Sequence, residues 1–200
     1  MAVIHAKEKR ERSLGVKLFL KGDRCNSPKC ATVRRPERPG QHKDARRNLS
    51  EYGKQLQEKQ RIRIYFGITN QQMEKIFSGS PVEIANRLEG RLDHTVFALG
   101  IAKSPRIGRQ LVSHGHIVVN GRKVSASSYQ VRVGDVVGIR PESRGYKLFE
   151  ELAERLKEYT PPGWLTLDIE KKEGKCVKLP SQDDHMFPFE IALASQFYAR

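Results

Sequence analysis

The sequence predicts an α+β fold, because helical and extended patterns occupy different parts of the chain. Apolar residues recur at helical spacing, with capping signals, between residues 48 and 115. Short β-branched runs separated by turn signals follow, over residues 116–139. A second extended region is predicted over residues 164–180, and a last helix from Pro188 onward.

The first 47 residues show little periodicity of either kind. Pro28, Pro36 and Pro39 interrupt this segment, and cations fill most of the gaps between them. A segment with so few apolar residues cannot offset the entropy lost on ordering. We therefore expect residues 1–47 to form an extended basic arm that becomes ordered on a partner.

Three helices are predicted between residues 48 and 100. Asn48 can cap the first helix, and Glu51 has the spacing of the reciprocal capping residue. Gly67 ends this helix. The other start and stop signals are Asn70, the Ser80-Pro81-Val82-Glu83 run and Gly100.

The next segment predicts a helix followed by strands. Ser104-Pro105 begins the helix and Gly115 ends it. Asn120-Gly121 is the dipeptide that favours a type I′ hairpin, because both of its residues take positive φ. The run VRVGDVVGI over residues 131–139 adds another strand.

The C-terminal part predicts a helix, a hairpin and a second helix. Leucines four residues apart indicate an amphipathic helix over residues 143–159. The runs WLTLDI and KCVKLP predict a hairpin that turns at Gly174. In the last helix, the residues predicted to face inward are Ile191, Ala194, Phe197 and Tyr198.

Charge indicates the class of partner. The chain carries 37 Lys and Arg against 23 Asp and Glu, which gives a formal net charge of +14. Residues 1–65 carry a net charge of +11 and residues 101–147 carry +7, whereas the rest is neutral to acidic. Surface charge that only confers solubility is usually mixed in sign. Two basic blocks therefore favour a polyanion, and nucleic acid above all.

Several protein classes are excluded by the same composition. The longest apolar stretch, residues 95–102, is far short of the roughly 20 residues of a membrane span. The N-terminus becomes basic before a signal-peptide core can form. Three cysteines, one far from the others, do not indicate a disulfide scaffold. We expect a cytosolic protein with an anionic partner and no membrane contact.

A contiguous stretch with almost no acidic residues carries the candidate binding surface. Two cations one helical turn apart can meet successive phosphates, and a charged hairpin can meet another strand. Histidines near a helix end can instead bond to carbonyl groups, and none has a nucleophile or carboxylate beside it at catalytic spacing. The candidates are Arg106, Arg109, Gln110, His114, His116, Asn120, Arg122 and Lys123.

These residues lie in a run that resembles a known family. RLDHTVFALGIAKSPRIGRQLVSHGHIVVNGRKV closely resembles the small RNA-binding domain named after bacterial-type small-subunit ribosomal protein four. That module also occurs in pseudouridine synthases, but here the resemblance to the ribosomal protein covers almost the whole chain. The other matching runs, in the same order, are Arg34–His42, Leu49–Ile68, Trp164–Asp168, Lys178–Pro180 and Phe197–Arg200.

The resemblance implies an architecture and a set of RNA-facing residues. It implies a basic arm over residues 1–47, and a helical domain over 48–90 completed by a helix over 188–200. A small α+β RNA-binding domain, a helix pair with twisted antiparallel strands, is then inserted as residues 91–187. Outside that domain, the residues expected to contact RNA are Arg34, Arg35, Gln41, His42, Arg46, Arg47, Lys54 and Lys59.

The resemblance also implies a function. Proteins of this family bind small-subunit rRNA at a multi-helix junction of the 5′ domain and nucleate assembly. They lie near the mRNA entrance beside small-subunit proteins three and five, and contribute to translational accuracy. We therefore expect a structural protein and not an enzyme. The alternatives are an RNA-modifying or RNA-chaperone protein with the same domain, and a zinc-finger-like DNA regulator.

The first two cysteines have the spacing of metal ligands. Some members of the family bind Zn²⁺ through four cysteines in the N-terminal arm. Cys25 and Cys30 would be one pair, but Glu8 and Glu11 stand where the other pair would lie. A closed zinc site needs four nitrogen or sulfur ligands. We therefore expect two free thiols, no cofactor and less than one zinc per chain.

Overall fold

The computed structural model describes residues 7–41, 48–180 and 188–199, and the chain divides into two compact units. The first unit holds residues 1–84 and 186–200, and the second holds residues 85–185. The second unit is therefore inserted, in sequence, within the first. Across the described ranges, no helix is long and apolar enough to cross a membrane.

Residues 7–41 contain short helices and buried side chains, which differs from the extended arm that the sequence predicts. Leu18, Leu20, Cys25 and Cys30 are fully buried. Two of the helices have only four residues, so they produce no periodic pattern that a sequence could reveal. The helices are α1 (Lys7–Leu14), α2 (Asp23–Asn26) and α3 (Ala31–Arg34).

The long helix of the first unit is α4 (Glu51–Phe66). It begins after Ser50, whose hydroxyl accepts a hydrogen bond of 3.2 Å from the backbone N–H of Gly53. The cap is therefore Ser50 and not Asn48, because both side chains can cap and only the chain path decides between them. Gly67, with φ of 63°, ends the helix as predicted.

The C-terminal helix α10 (Ile191–Tyr198) packs against α4. Its Phe197 ring lies 5.6 Å from the ring of Tyr52, and Ala194 is fully buried. Glu58 accepts a hydrogen bond from the backbone N–H of Glu190 at 3.2 Å, directly before α10 begins. The predicted last helix is confirmed.

The single helix predicted from Ser80 to Gly100 is instead two separate helices. Ser80 and Glu83 form the reciprocal cap that the sequence predicts, at 3.3 and 3.2 Å. Arg91 then adopts an extended conformation and pairs with Gln130 in an isolated antiparallel bridge, which ends the helical run. The helices are α5 (Asn70–Ile76), capped by Thr69, then α6 (Pro81–Glu89) and α7 (Leu92–Ala98).

Helix α8 (Pro105–Ser113) packs closely against α7. The Ser104 hydroxyl caps it by accepting a hydrogen bond from Ile107 N–H at 3.3 Å, as predicted. A Cβ atom at Gly108 would collide with the carbonyl oxygen of Asp93. Only glycine therefore allows the two helices to approach so closely.

The described strands form one antiparallel sheet in the order β2-β1-β3-β5-β4. Both predicted hairpins are present, and β3 joins them by pairing with β5, where Val137 lies opposite Gly174. Such pairing between distant segments leaves no local signal in a sequence. The strands are β1 (Ile117–Val119), β2 (Arg122–Lys123), β3 (Val136–Ile139), β4 (Leu165–Asp168) and β5 (Glu173–Cys176).

The second hairpin does not turn at Gly174, so that prediction is wrong. The turn lies over residues 169–172, where Lys172 has a φ of 55°. Gly174 lies inside β5, where a Cβ atom would collide with the side chain of Leu99. This glycine therefore serves close packing of the sheet against the segment after α7, and not a turn.

The helix predicted over residues 143–159 is mostly absent. Two 3₁₀ turns, Pro141–Ser143 and Lys147–Phe149, precede a short helix α9 (Leu152–Lys157). Leu148 is 58% exposed, and Phe149 takes the buried position instead. Leu152 and Leu156 are buried as predicted. Leu148 has the same four-residue spacing but does not belong to the buried face.

Candidate nucleic-acid interface

The outward side of α8 carries the first group of candidate residues. Leu111 and Val112 are buried, whereas Gln110 is exposed and both arginines, Arg106 and Arg109, are half-buried. The positive charge of Arg109 also acts on the buried carboxylate of Asp93. The helix therefore presents two cations one turn apart, as the sequence predicts.

The β1–β2 hairpin carries the second group. Asn120 and Gly121 have φ of 49° and 77°, as a type I′ turn requires, and Arg122 and Lys123 in β2 are both exposed. The stem of Lys123 lies over Gly115, where any Cβ atom would collide with it. Gly115 therefore ends α8 and also makes room for a hairpin cation.

Asn120 is exposed, and its side chain forms two hydrogen bonds within the protein. Its amide Nδ2 donates to Asp135 at 2.8 Å, and its Oδ1 accepts from the backbone N–H of Val136 at 2.9 Å. Both polar atoms of the side chain thus fix the turn to the start of β3. The residue positions Arg122 and Lys123 through the shape of the hairpin.

The two histidines have different surroundings. His114 caps the C-terminal end of α8 and is exposed. His116 is partly buried, with its Nδ1 atom 3.0 Å from the Ser143 hydroxyl. Burial lowers the pKa of His116, and the charges of His114, Arg140 and Lys123 lower it further. These effects favour the uncharged imidazole of His116.

The structure adds residues near this surface that motif reasoning missed. Arg140 donates its backbone N–H to His116 and pairs with Glu142 at 2.7 Å. Tyr146 is 54% exposed, and its ring lies 5.5 Å from that of His116. Arg140 lies in the basic block over residues 101–147, so the sequence indicates it as a candidate for binding. No feature of the sequence indicates Tyr146, which falls within the wrongly predicted helix.

A basic groove lies within the first unit. It has a volume of about 490 Å³, and Arg12 donates to the backbone carbonyl of Glu37 at its edge. Arg34, Arg35 and Gln41 are exposed, and Arg35 lines the groove. His42, Arg46 and Arg47 lie outside the described residues. The groove residues are Lys9, Arg12, Arg35, Glu37, Arg38, Pro39 and Gly40.

The two lysines predicted on α4 are not equivalent. Lys54 is exposed and pairs with Glu51 at 2.7 Å. The Lys59 ammonium lies 4.1 Å from the ring centroid of Phe197 and 5.0 Å from that of Tyr198. Burial lowers the pKa of Lys59. Lys59 therefore contributes to the packing of α10 on α4 through cation–π contacts.

The residues around the cysteine pair do not fit a closed zinc site. Glu8 pairs with Lys21 at 3.2 Å and with Arg24 at 3.1 Å. Glu11 is fully buried and accepts hydrogen bonds from two backbone N–H groups. Both thiols are free and buried, and no cluster of three or more metal-ligating side chains occurs in the described part of the chain. The two carboxylates are thus committed to protein contacts.

Two protein families match the chain. Residues 2–99 match the family described as ribosomal protein S4/S9 N-terminal domain, and residues 90–137 match the S4 domain. The second match spans α7, α8 and the β1–β2 hairpin, which carry the candidate surface. The RNA-binding module expected from the sequence is therefore present.

Proteins named small ribosomal subunit protein uS4 are similar to the chain over nearly its whole length. The one from Halothermothrix orenii is 43% identical over 196 residues, and the one from Thermus thermophilus is 43% identical over 197 residues. The one from Kosmotoga olearia is 39% identical over 201 residues. Each match covers 94% of both chains. The chain therefore belongs to the uS4 family of small ribosomal subunit proteins, which are structural components of the ribosome and not enzymes.

Proposed function

We propose that this protein binds small-subunit rRNA through the outward side of α8 and the β1–β2 hairpin. The observation that carries the proposal is the charge of this continuous segment. Residues 101–123 hold five Lys and Arg and no Asp or Glu, and the two hairpin cations are exposed. Such cations contact phosphates and set the position of an RNA without reading its sequence.

The basic groove of the first unit supports a second contact. Four of its lining side chains are cationic and one, Glu37, is acidic. We infer that the groove accepts phosphates, and that residues 1–47 and residues 91–187 bind different parts of the folded rRNA. The domain over 48–90 with 188–200 then serves as scaffold.

The names of the relatives extend the proposal to the assembled subunit. We infer that the protein binds a multi-helix junction in the 5′ domain early, and that it thereby nucleates assembly of the body of the subunit. It then lies beside small-subunit proteins three and five near the mRNA entrance, in the cytoplasm, and contributes to translational accuracy. We infer no metal or other cofactor, because Glu8 and Glu11, which stand in place of a second cysteine pair, are engaged in protein contacts.

Filter binding with a transcript of the small-subunit rRNA 5′ domain tests the contact. The measured affinity should fall on the order of 10³-fold between about 50 and 200 mM salt if about six phosphates are neutralised. A salt-insensitive affinity would contradict the proposal. Co-sedimentation of the protein with small ribosomal subunits at moderate salt tests whether it is a component of that subunit.

A quadruple variant identifies the surface. Replacement of Arg106, Arg109, Arg122 and Lys123 by Ala should weaken binding and reduce the magnitude of the salt slope by about 3. The matched control removes the same charge elsewhere in the second unit, at Lys157, Lys171, Lys172 and Lys175, and should retain most of the affinity. Equal losses in both variants would show that only net charge matters. Unchanged far-ultraviolet circular dichroism confirms that both variants fold.

A further inference from the structure

The segment after β3 places a tyrosine and a leucine on the surface next to the candidate interface. Tyr146 is 54% exposed and Leu148 is 58% exposed, whereas Phe149 is fully buried. Leu148 lies in the second of the two 3₁₀ turns that follow β3, and Tyr146 lies directly before it. Tyr146 therefore offers an exposed aromatic ring beside the candidate cationic surface.

The Tyr146 ring is held in place by its surroundings. It meets the ring of His116 edge-to-face, at 5.5 Å between centroids and an angle of 88°. His116 is fixed in turn by the Ser143 hydroxyl at 3.0 Å and by the Phe149 ring at 6.3 Å. Backbone hydrogen bonds from Tyr146 N–H to Ser143 and from Phe149 N–H to Tyr146 fix the chain on both sides. The exposed Tyr146 ring, supported by His116, is called the platform below. It is therefore in place before any ligand binds.

Two cations lie near this platform. The Lys123 stem lies over Gly115, next to His116, and Arg140 donates its backbone N–H to the His116 carbonyl. The Arg140 guanidinium is paired with the Glu142 carboxylate at 2.7 Å, so these two charges largely cancel and Lys123 supplies the net positive charge. The platform thus combines an exposed aromatic face with a positive field, which are the two requirements for binding single-stranded nucleic acid.

We propose that Tyr146 is a stacking platform for an unpaired nucleobase of the bound RNA. This inference rests on the proposed function, since the surrounding cations must hold the phosphates on either side of that base. Stacking is independent of base identity, because every base has a π-face. The site adds contact area to the RNA that charge alone does not provide, and it differs from the phosphate contacts in being insensitive to salt.

Two probes of similar charge separate stacking from phosphate binding: a twelve-nucleotide oligoadenylate and an inorganic polyphosphate. The full-length Tyr146→Ala variant should bind the oligoadenylate about tenfold more weakly, with an unchanged salt slope and an unchanged affinity for polyphosphate. Tyr146→Phe should bind the oligoadenylate like the wild type, because the ring is retained. Leu148→Ala is the matched control, since it removes an equally exposed apolar side chain without a ring.

Two results would overturn the inference. The first is wild-type affinity of Tyr146→Ala for the oligoadenylate; if co-sedimentation with small subunits is lost at the same time, the tyrosine serves a protein contact. The second is an equal loss for both probes, or an equal loss in Leu148→Ala, either of which indicates a nonspecific effect. Wild-type failure to bind any RNA would instead contradict the proposed function itself.

A spectroscopic measurement tests the same contact without a disruptive variant. In protein labelled with ¹³C in the tyrosine rings, the Tyr146 signal can be assigned as the one that Tyr146→Phe removes. Stacking should shift this signal upfield when oligoadenylate is added, through the ring current of adenine. Polyphosphate should leave it in place. A signal that moves equally with both probes contradicts stacking.

Discussion

At the scale of single residues, a buried carboxylate organises the N-terminal segment. The Oε1 atom of Glu11 accepts hydrogen bonds from the backbone N–H groups of Leu18 at 3.0 Å and Leu20 at 3.2 Å. Burial raises the pKa of Glu11, and these hydrogen bonds oppose the rise. From the sequence alone, an acidic residue in a basic segment is expected to lie on the surface. In the structure, Glu11 is buried and its hydrogen bonds stabilise the fold.

Substitution of Glu11 should therefore affect stability in a graded way. Glu11→Ala should lower the free energy of unfolding by about 2–4 kcal/mol at pH 7, because two buried N–H groups lose their acceptor. Glu11→Gln should lose less, because it retains the Oε1 acceptor. Urea denaturation measures both, and the exposed Glu170→Ala is the control. An equal effect of Ala and Gln would mean that the hydrogen bonds contribute little.

The same residue predicts a pH dependence. The pKa of Glu11 is higher in the folded protein than the ordinary value of 4.5, so the folded state retains this proton to a higher pH. The proton-linked part of its contribution to stability is complete below the unfolded pKa and is lost as pH rises through the folded pKa, whereas the two hydrogen bonds to Oε1 remain at pH 7. Comparison of wild-type and Glu11→Gln stability from pH 4 upward should show a component of this sign in the wild type alone.

The close packing at Gly108 leads to a second prediction for a single residue, again on the free energy of unfolding. Gly108→Ala should lower the free energy of unfolding by about 1–3 kcal/mol, because the new methyl group collides with the carbonyl oxygen of Asp93 between α7 and α8. Gly145→Ala is the control, since a Cβ atom there meets open space. Thermal unfolding distinguishes them. Equal stability of the two variants would show that the helices can separate at little cost.

At the scale of elements, the β1–β2 hairpin depends on one side chain as well as on its turn. The dipeptide Asn120-Gly121 allows positive φ, but the asparagine amide also joins the turn to Asp135 and to Val136 N–H. The sequence indicates the turn, because the requirement for positive φ is local. It gives no sign of the partner, which lies on the next strand.

Asn120→Gly separates these two roles. The variant keeps the positive φ but loses both side-chain hydrogen bonds, so we expect a loss of about 1–2 kcal/mol in the free energy of unfolding. Hydrogen exchange at the amide of Val136 should accelerate, and RNA affinity should fall through the position of the hairpin cations. Ser125→Gly, in the exposed loop after β2, is the control. Unchanged exchange at Val136 would contradict the role assigned to Asn120.

The failed helix over residues 143–159 shows the limit of periodicity. Leu148, Leu152 and Leu156 are spaced like one helical face, but only the last two are buried. Phe149 belongs to the buried core, and its spacing of three and seven residues from Leu152 and Leu156 is also helical. The sequence thus contains two overlapping helical patterns, and only the folded structure decides between them.

At the scale of the whole molecule, the two units have separate hydrophobic cores. Every member of the main apolar cluster, from Leu92 to Cys176, belongs to the second unit. We therefore expect a fragment of residues 85–180 to unfold cooperatively by itself, as monitored by far-ultraviolet circular dichroism. It should bind the 5′-domain transcript with a smaller salt slope than the full chain, because the N-terminal groove is absent. A noncooperative fragment would show that the units depend on each other.

The sequence by itself determined the fold class, the family, the starts of some helices and the two blocks in which the basic residues concentrate. These features depend on local chemistry: Ser104 caps a helix, Asn120-Gly121 forms a turn, and like charges concentrated in two blocks predict a polyanion. Each requires only residues that are neighbours in the chain, so each can be read before folding.

Only the tertiary structure decided which polar residues serve the fold and which remain for a ligand. It placed Lys59 against the aromatic rings of α10 and joined the Asn120 side chain to Asp135 and β3, and it left Arg122, Lys123 and Tyr146 exposed. It also joined the two hairpins into one sheet and ordered residues 7–41 around Glu11. These outcomes depend on partners far away in sequence, and the free energy of such contacts is set by burial and geometry that exist only in the folded chain.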